Sequence, residues 1–411
     1  MKILMVNKFY YIKGGSETYY FMLKDYLESQ GHEVIDFSMQ DEKNFSSPYS
    51  KYFVSHVDYS NASKSEKLRA ALNIIYSKEA KAKFEKLVLD TKPDVIHLHL
   101  FQHQISPSIL SVIKKYKIPC VYTAHELKMI CPNYKMLTQG HVCEACKNKN
   151  YFNCVRNKCV KNSYAKSAIN MVEAYFHKWL KSYDAIDYII TPSAFYRKKF
   201  IEFGVDPNRV VHIPNFMSRD IPAVNENKYG KYYLYFGRLS DEKGIVTLIH
   251  AMEKTDLNLL IVGTGPLTQE LEALVKNNSR IQLLGFKRGQ ELIDIVGNAY
   301  AVILPSEWYE NGPYSAIEAL QLGRPIIGAD IAGIPELIRG NGSIFPSGNE
   351  KMLLQTIKKF DSMQEEEYHR CCDNSRMLYQ EVYSAEAQAY KVVDQYMKAI
   401  KKHRKETALE K

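Results

Sequence analysis

Short runs of β-branched and aliphatic residues alternate with longer amphipathic stretches over nearly the whole chain. In the first half the runs predict strands at Lys2–Phe9, Glu33–Met39, Val95–Leu100, Pro119–His125, Ala185–Pro192 and Val210–Ile213. In the second half they predict strands at Tyr232–Leu239, Asn258–Gly263, Ile281–Phe286, Tyr300–Pro305 and Pro325–Ala329. Strands that are nearly continuously apolar belong to parallel sheets covered by helices on both faces, so the pattern predicts an α/β protein with two Rossmann-like domains. Pro214, Asn215, Pro222 and the polar run Asn225-Glu-Asn-Lys228 interrupt it. We therefore expect one domain over 1–213 and another over 214–383. A helix over 384–402 would close the structure or cross back to the first domain. The charged end, His403–Lys411, is expected to fray.

Length agrees with this division, because 411 residues exceed what one core comfortably serves. Hydrophobic residues make up 45% and charged residues 25%, the balance of an ordinary globular protein. Lys2 and Asn7 bracket only four apolar residues at the N-terminus, too few for a secretory signal, and no segment approaches the length of a membrane span. The expected location is cytoplasmic, with any membrane contact peripheral. The net charge of +9 is uneven: residues 1–200 carry 30 − 18 = +12 and the remainder 25 − 28 = −3. A basic first half points to an anionic partner. The cations are scattered and no nucleic-acid module is present, which turns that reading toward an anionic lipid surface or a phosphate-bearing acceptor.

In open α/β sheets the ligand sits beyond the carboxyl ends of the strands, so residues there carry the most information. After the first strand, Gly14-Gly15 precedes a helical pattern and permits close approach of a phosphate, although such a pair also makes a simple turn. His125 ends another strand. His97 and His99 share a strand face, but no carboxylate accompanies them as metal ligands usually require. In the second half Arg238 and Lys243 stand five positions apart on one loop, a planar fork and a point charge that together neutralise a diphosphate. The segment Glu310-Asn-Gly-Pro-Tyr-Ser-Ala-Ile-Glu318 reads as a short helix opening right after Glu310, with Pro313 at its first position and Gly323 just past its end. Amides at Asn311, Gly312 and Tyr314 would then form an anion site at the helix mouth.

As a set, Gly237-Arg238-Leu, Glu242-Lys243-Gly244, Gly263-x-Gly265-Pro266, Glu310…Glu318 and Gly323-x-Pro325 resemble the retaining glycosyltransferases of family 4, which have the GT-B fold. Gly14-Gly15-x-Glu17, Gly31-His32-Glu33-Val34, Pro93-Asp94-Val95-Ile96-His97 and Pro214-Asn215 fit the same family, so the resemblance spans about residues 1–340. It implies two Rossmann-like domains with parallel sheets facing a central cleft. It also implies metal-independent transfer of a hexose from a nucleoside diphosphate sugar, UDP before GDP, to a hydroxyl acceptor in bacterial surface polysaccharide synthesis. By resemblance, Arg238 and Lys243 bind the diphosphate, and the amides of Asn311, Gly312 and Tyr314 bind phosphate or sugar. Glu310 holds sugar hydroxyls, Glu318 the ribose, backbone near Phe286 the base, Gly15 the phosphates and His125 the transferred sugar. The sequence contains no Asp-x-Asp motif, in keeping with a donor site that works without a divalent ion. A nucleotide-sugar epimerase or hydrolase of the same fold, or an inactive nucleotide-sugar-binding protein, would show many of the same motifs.

Two segments stand outside this set. Cys131, Cys143, Cys146, Cys154 and Cys159 crowd one Lys- and Asn-rich stretch. Cys143-x-x-Cys146 has a zinc-ligand spacing that Cys131 and Cys159 could complete, whereas the absence of an export signal suits plain reduced thiols, with a redox function as a third reading. Lys64–Lys86 interleaves seven cations with Leu68, Leu72, Ile75 and Phe84, a pattern that fits either an anionic lipid surface or packing on its own domain.

Overall fold

A computed structural model describes residues 1–56, 71–218 and 230–409. Within it the chain divides into two compact units. The first comprises Met1–Gln139, Cys143–Ile213 and Gln388–Lys411; the second comprises Pro214–Ala387 with Gly140–Val142.

The first unit is built on a six-stranded sheet of β1 (Lys2–Val6), β2 (Glu33–Phe37), β3 (Val95–Leu98), β4 (Cys120–Thr123), β5 (Tyr188–Thr191) and β6 (Val210–His212), in the order β2-β1-β3-β4-β5-β6. Each adjacent pair is parallel, with Ile3 opposite both Val34 and Val95 in β1. The interior residues of β1, β3 and β4 are buried without a break, because helices cover both faces. Helix Lys78–Thr91 shows how this works. Ser77 caps it through Ala80 N, and Ala80, Phe84, Leu87 and Val88 form its buried stripe, with Phe84 set against Phe37 at 5.1 Å. Of the two readings open for the Lys64–Lys86 pattern, this half therefore packs on its own domain. Leu68 lies outside the described residues.

The second sheet comprises β7 (Tyr232–Phe236), β8 (Asn258–Val262), β9 (Ile281–Gly285), β10 (Ala301–Leu304), β11 (Ile326–Asp330) and β12 (Gly342–Pro346). Its order is β9-β8-β7-β10-β11-β12, again parallel throughout, which makes each unit a doubly wound Rossmann-like fold. The sequence pattern predicts every one of these strands except β12.

The C-terminal helix runs from Ala385 to Leu409, so the fraying expected from His403 onward does not occur in the described residues. From Gln388 on, the helix belongs to the first unit, where Ala389, Val392, Tyr396 and Ala399 form a fully buried stripe at helical spacing. The supposedly loose end is held by charge. Asp187, just before β5, accepts from Lys402 Nζ at 2.8 Å, His403 Nε2 at 2.9 Å and Cys120 N at 2.9 Å. His403 also meets the carbonyl of Lys117 at 2.9 Å.

These bonds raise the His403 pKa, chiefly through its hydrogen bond to Asp187, while the Asp187 pKa falls because the same partners outweigh its burial. The stabilisation from protonated His403 is complete below the ordinary histidine value and declines as pH rises through the raised one. Replacing His403 by Ala should lower stability by about 1 to 3 kcal/mol in mildly acidic buffer. The difference from the native protein should shrink on the alkaline side of neutrality, as denaturation at the two pH values will show.

Candidate functional site

The strand order of the second unit reverses between β7 and β10, so the loops leaving these two strands diverge and open a space at their carboxyl ends. The loop after β7 carries Arg238 and Lys243, and the loop after β10 carries Ser306 to Glu310. These loops are joined directly. Lys243 Nζ lies 2.5 Å from Glu310 Oε1, which also accepts from Ser306 Oγ at 2.8 Å. Glu310 is only 6% exposed, and the Lys243 ammonium stands 5.3 Å from the ring centre of Trp308. A second tie lies alongside, where Thr247 Oγ1 donates to Glu307 Oε1 at 2.6 Å and Glu307 N to Glu242 O at 2.9 Å. Arg238 is exposed, its carbonyl accepting from Tyr235 Oη at 2.9 Å.

Close backbone approach explains the glycines of these loops. Gly244 has φ of +66°, and a Cβ there would sit 2.0 Å from the carbonyl oxygen of Pro305. A Cβ on Gly263 would fall 1.9 Å from the oxygen of Gly237. Glycine therefore lets neighbouring loops touch here, a packing role beside any contact with a ligand.

The helix after Glu310 is shorter than its sequence suggests. It spans Tyr314–Gln321, with Pro313 as the extended residue before it and not its first turn. Gly312, at φ of +71°, turns the chain between carboxylate and helix, so Glu310 stands ahead of the mouth. Asn215 Nδ2 holds this turn by donating to Gly312 O at 2.9 Å and Asn311 O at 3.4 Å. Tyr314 Oη reaches Phe216 O at 3.2 Å. Glu318 lies within the helix, and Gly323, at φ of +66°, follows its end as expected. Phe286 follows β9 with 69% of its surface exposed. The structure thus joins Lys243 to Glu310, places Asn311, Gly312 and Tyr314 in one turn, and leaves Arg238 and Phe286 exposed on their own loops. The sequence motifs assign no role to Ser306, Trp308 and Asn215. Their side chains shape the same loops, and the spacing Ser306-x-x-x-Glu310 was the only hint.

In the first unit the order reverses between β1 and β3. Gly14 precedes helix Gly15–Ser29, with Gly15 exposed at its start. Glu17 is buried, accepts from Asn7 Nδ2 at 3.4 Å, and has a pKa raised by that burial. His125 follows β4. Its Nε2 meets His99 Nδ1 at 3.1 Å with the rings stacked, and Tyr19 stands edge-on 5.1 Å from it. His97 bonds Thr123 Oγ1 at 2.8 Å and Tyr396 Oη at 2.6 Å, so it serves packing and not a metal. Burial pushes His97 and His125 down to about 3 and His99 well below its ordinary value. All three rings are neutral near neutral pH, and His125 can offer hydrogen bonds but no positive charge.

Cys131, Cys143, Cys146, Cys154 and Cys159 line one small cavity, all as free thiols. Burial raises Cys131 to about 11 and Cys146 to about 12. Cys154 and Cys159 share a hydrogen bond that lowers the Cys159 thiol and raises that of Cys154. Among the described residues no group of three or more His, Cys, Asp or Glu side chains is disposed to hold a metal ion, the cysteine set included.

Residues 13–220 match the model of Glycosyltransferase Family 4, and residues 217–377 that of Glycosyl transferases group 1. The chain belongs to glycosyltransferase family 4. It is 22% identical over 382 residues to an uncharacterised 42.6 kDa protein in the cps region of Klebsiella pneumoniae, covering 88% of this chain and 92% of the relative. It is 24% identical over 192 residues, 45% of this chain and 50% of the relative, to the O-antigen chain mannosyltransferase C of Escherichia coli. Among solved structures it resembles HepE of Anabaena in complex with UDP, with a TM-score of 0.67, 16% identity and coverage of 97% and 100%. WaaG, a glycosyltransferase involved in lipopolysaccharide biosynthesis, aligns with a TM-score of 0.62, 14% identity and coverage of 95% and 98%. These neighbours share the GT-B fold with this glycosyltransferase.

The close loop packing makes one residue a sensitive probe of the whole arrangement. Gly244→Ala in this glycosyltransferase should lose about 2 kcal/mol or more of stability, measured by urea unfolding, because the new methyl meets a backbone oxygen and φ is unfavourable.

Proposed function

We propose that this glycosyltransferase moves a sugar from a nucleoside diphosphate sugar, a UDP-sugar before a GDP-sugar, to a hydroxyl of a saccharide or lipid-linked saccharide. The anomeric configuration is retained, and the product enters bacterial surface polysaccharide. The observation that carries the reading is the Lys243–Glu310 pair at the reversal of the second sheet, beside Arg238 and the turn into helix Tyr314–Gln321. The names of the relatives support the product class, and the complexes of HepE with UDP and UDP-glucose support the donor class.

Breaking the glycosidic bond to the nucleotide leaves negative charge on the departing diphosphate. Arg238 and Lys243 stabilise that charge most where it is greatest, in the transition state, and the positive end of the helix adds to them. Two cations and a helix terminus supply the neutralisation that a divalent ion gives elsewhere, so the donor site needs no metal. The arriving diphosphate competes with Glu310 for Lys243, and the carboxylate thus released accepts bonds from sugar hydroxyls. Glu318 holds the ribose, and the backbone beside Phe286 meets the base. From the first unit, Gly15 approaches the phosphates, while His125 meets the transferred sugar as a neutral hydrogen-bonding group. Retention follows from attack on the donor face from which the diphosphate leaves, with a phosphate oxygen taking the acceptor's proton.

Lys243→Ala and Arg238→Ala should each lower turnover about 100- to 1,000-fold in protein that remains folded. Near-normal transfer by folded Lys243→Ala would rule the diphosphate assignment out. Glu310→Gln should keep donor-induced thermal stabilisation yet lose transfer by a similar factor. In a panel of nucleotide sugars scored for thermal stabilisation, a UDP-sugar should give the largest shift. A response confined to GDP-sugars would reverse the choice of base.

A further inference from the structure

Helix Tyr164–Trp179 in the first unit is inside out. Its buried side chains are Ser167, Asn170, Glu173 and His177, all polar. Ala168, Ile169, Met171, Ala174 and Phe176 are half-buried, and other apolar residues face outward. Tyr164, Val172, Tyr175 and Trp179 are exposed, Trp179 by 78%, and at spacings of eight, three and four they lie within one narrow stripe of the helix surface. Leu180, just past the end of the helix, is exposed as well. The preceding short helix adds Phe152, 59% exposed, beside Tyr151, which packs on Tyr175 with ring centres 5.1 Å apart.

Most of the polar residues beneath are held by specific partners, although Glu173 Oε1 has no hydrogen-bond partner, so the outward apolar face is not an accident of a loose helix. Lys128 Nζ lies 2.6 Å from Glu173 Oε2 and also bonds Asn170 Oδ1 at 2.8 Å. His177 bonds Ile75 O at 2.7 Å and Ser182 Oγ at 2.9 Å. The helix is thus locked in this rotation, with its aromatic stripe presented to the surroundings.

Charge identifies the occupant. Between Ala145 and Lys181 the chain carries Lys147, Lys149, Arg156, Lys158, Lys161, Lys166, Lys178 and Lys181 against a single acid, Glu173, which is buried and paired. Lys158 lies 4.6 Å from the Tyr164 ring centre and Lys178 5.9 Å from that of Tyr175, so cations border the aromatic stripe. A second copy that paired this face with itself would bring the same positive charge to the contact and be repelled. An exposed row of Trp, Tyr and Val edged by Lys and Arg fits the headgroup region of an anionic bilayer, where amphipathic rings settle and cations meet lipid phosphates. We propose that helix Tyr164–Trp179, with Phe152, docks this glycosyltransferase peripherally on an anionic membrane surface, lying in the plane of the interface. The inference stands apart from the donor and acceptor assignments, since none of them involves a residue of this helix.

Vesicle binding tests it on the full-length protein without substrate. The native protein should co-sediment with vesicles of phosphatidylglycerol and phosphatidylcholine, release at high salt, and bind poorly to phosphatidylcholine alone. The double variant Val172→Asn, Trp179→Ser should bind anionic vesicles about tenfold more weakly, with unchanged circular dichroism and an unchanged response to nucleotide sugar. Binding should also shift tryptophan emission to the blue. Trp179→Phe should still bind but lose that shift, since the other tryptophan, Trp308, lies in the second unit. Equal binding by the native protein and the double variant, binding without preference for anionic lipid, or no binding at all would each overturn the proposal. So would a dimer in solution that the double variant abolishes.

Discussion

Parallel pairing of every neighbouring strand in both six-stranded sheets is the constraint from which the rest follows. It sends all carboxyl ends of a sheet to one edge and demands a helical crossover for each return, so chemically useful loops collect along that edge. Reversal of strand order then parts two of those loops in each unit. In the second unit the gap lies between the ends of β7 and β10, and Lys243 and Glu310 meet across it. In the first it lies between β1 and β3, near Asn7, Glu17 and the histidines at 97, 99 and 125.

The two edges are electrostatically different. The second unit holds a nearly buried carboxylate that stays paired because Lys243 and Ser306 reach the same oxygen. Removing either partner would leave a charge with little water to replace it, so the pair is stable at rest and responsive to a competing anion. The first unit buries its imidazoles in a stack with Tyr19 and Tyr396, where desolvation keeps them neutral. One edge can exchange a counter-charge, and the other supplies fixed dipoles.

Strands were legible in the sequence because parallel sheets write themselves as apolar runs, as Ile3-Leu-Met-Val6 and Ala301-Val-Ile-Leu304 do. β12 was not, since Gly342-Ser-Ile-Phe-Pro346 at the sheet edge reads locally as turn. The extent of the Glu310 helix is not legible either, because Pro313 serves as well just before a first turn as within it. Motif order led to the residues of the candidate site, but the direct Lys243–Glu310 contact spans 67 positions and has no local signature. Helix Tyr164–Trp179 was invisible for a related reason. Periodicity tells which residues share a face, and only the buried Lys128–Glu173 pair tells which face is inside.

The first unit is discontinuous, and this has a consequence for how the protein is made. Its sheet is encoded before residue 214, but the stripe through Tyr396 and the cations that satisfy Asp187 are encoded after the whole of the second unit. A nascent chain therefore emerges with the Tyr396 side of His97 still waiting for a partner and the carboxylate of Asp187 still without its two cations. The second unit can complete its own core while the first still lacks its C-terminal helix. A premature stop that spares every motif of the candidate site would still strip the older domain of a buried helix.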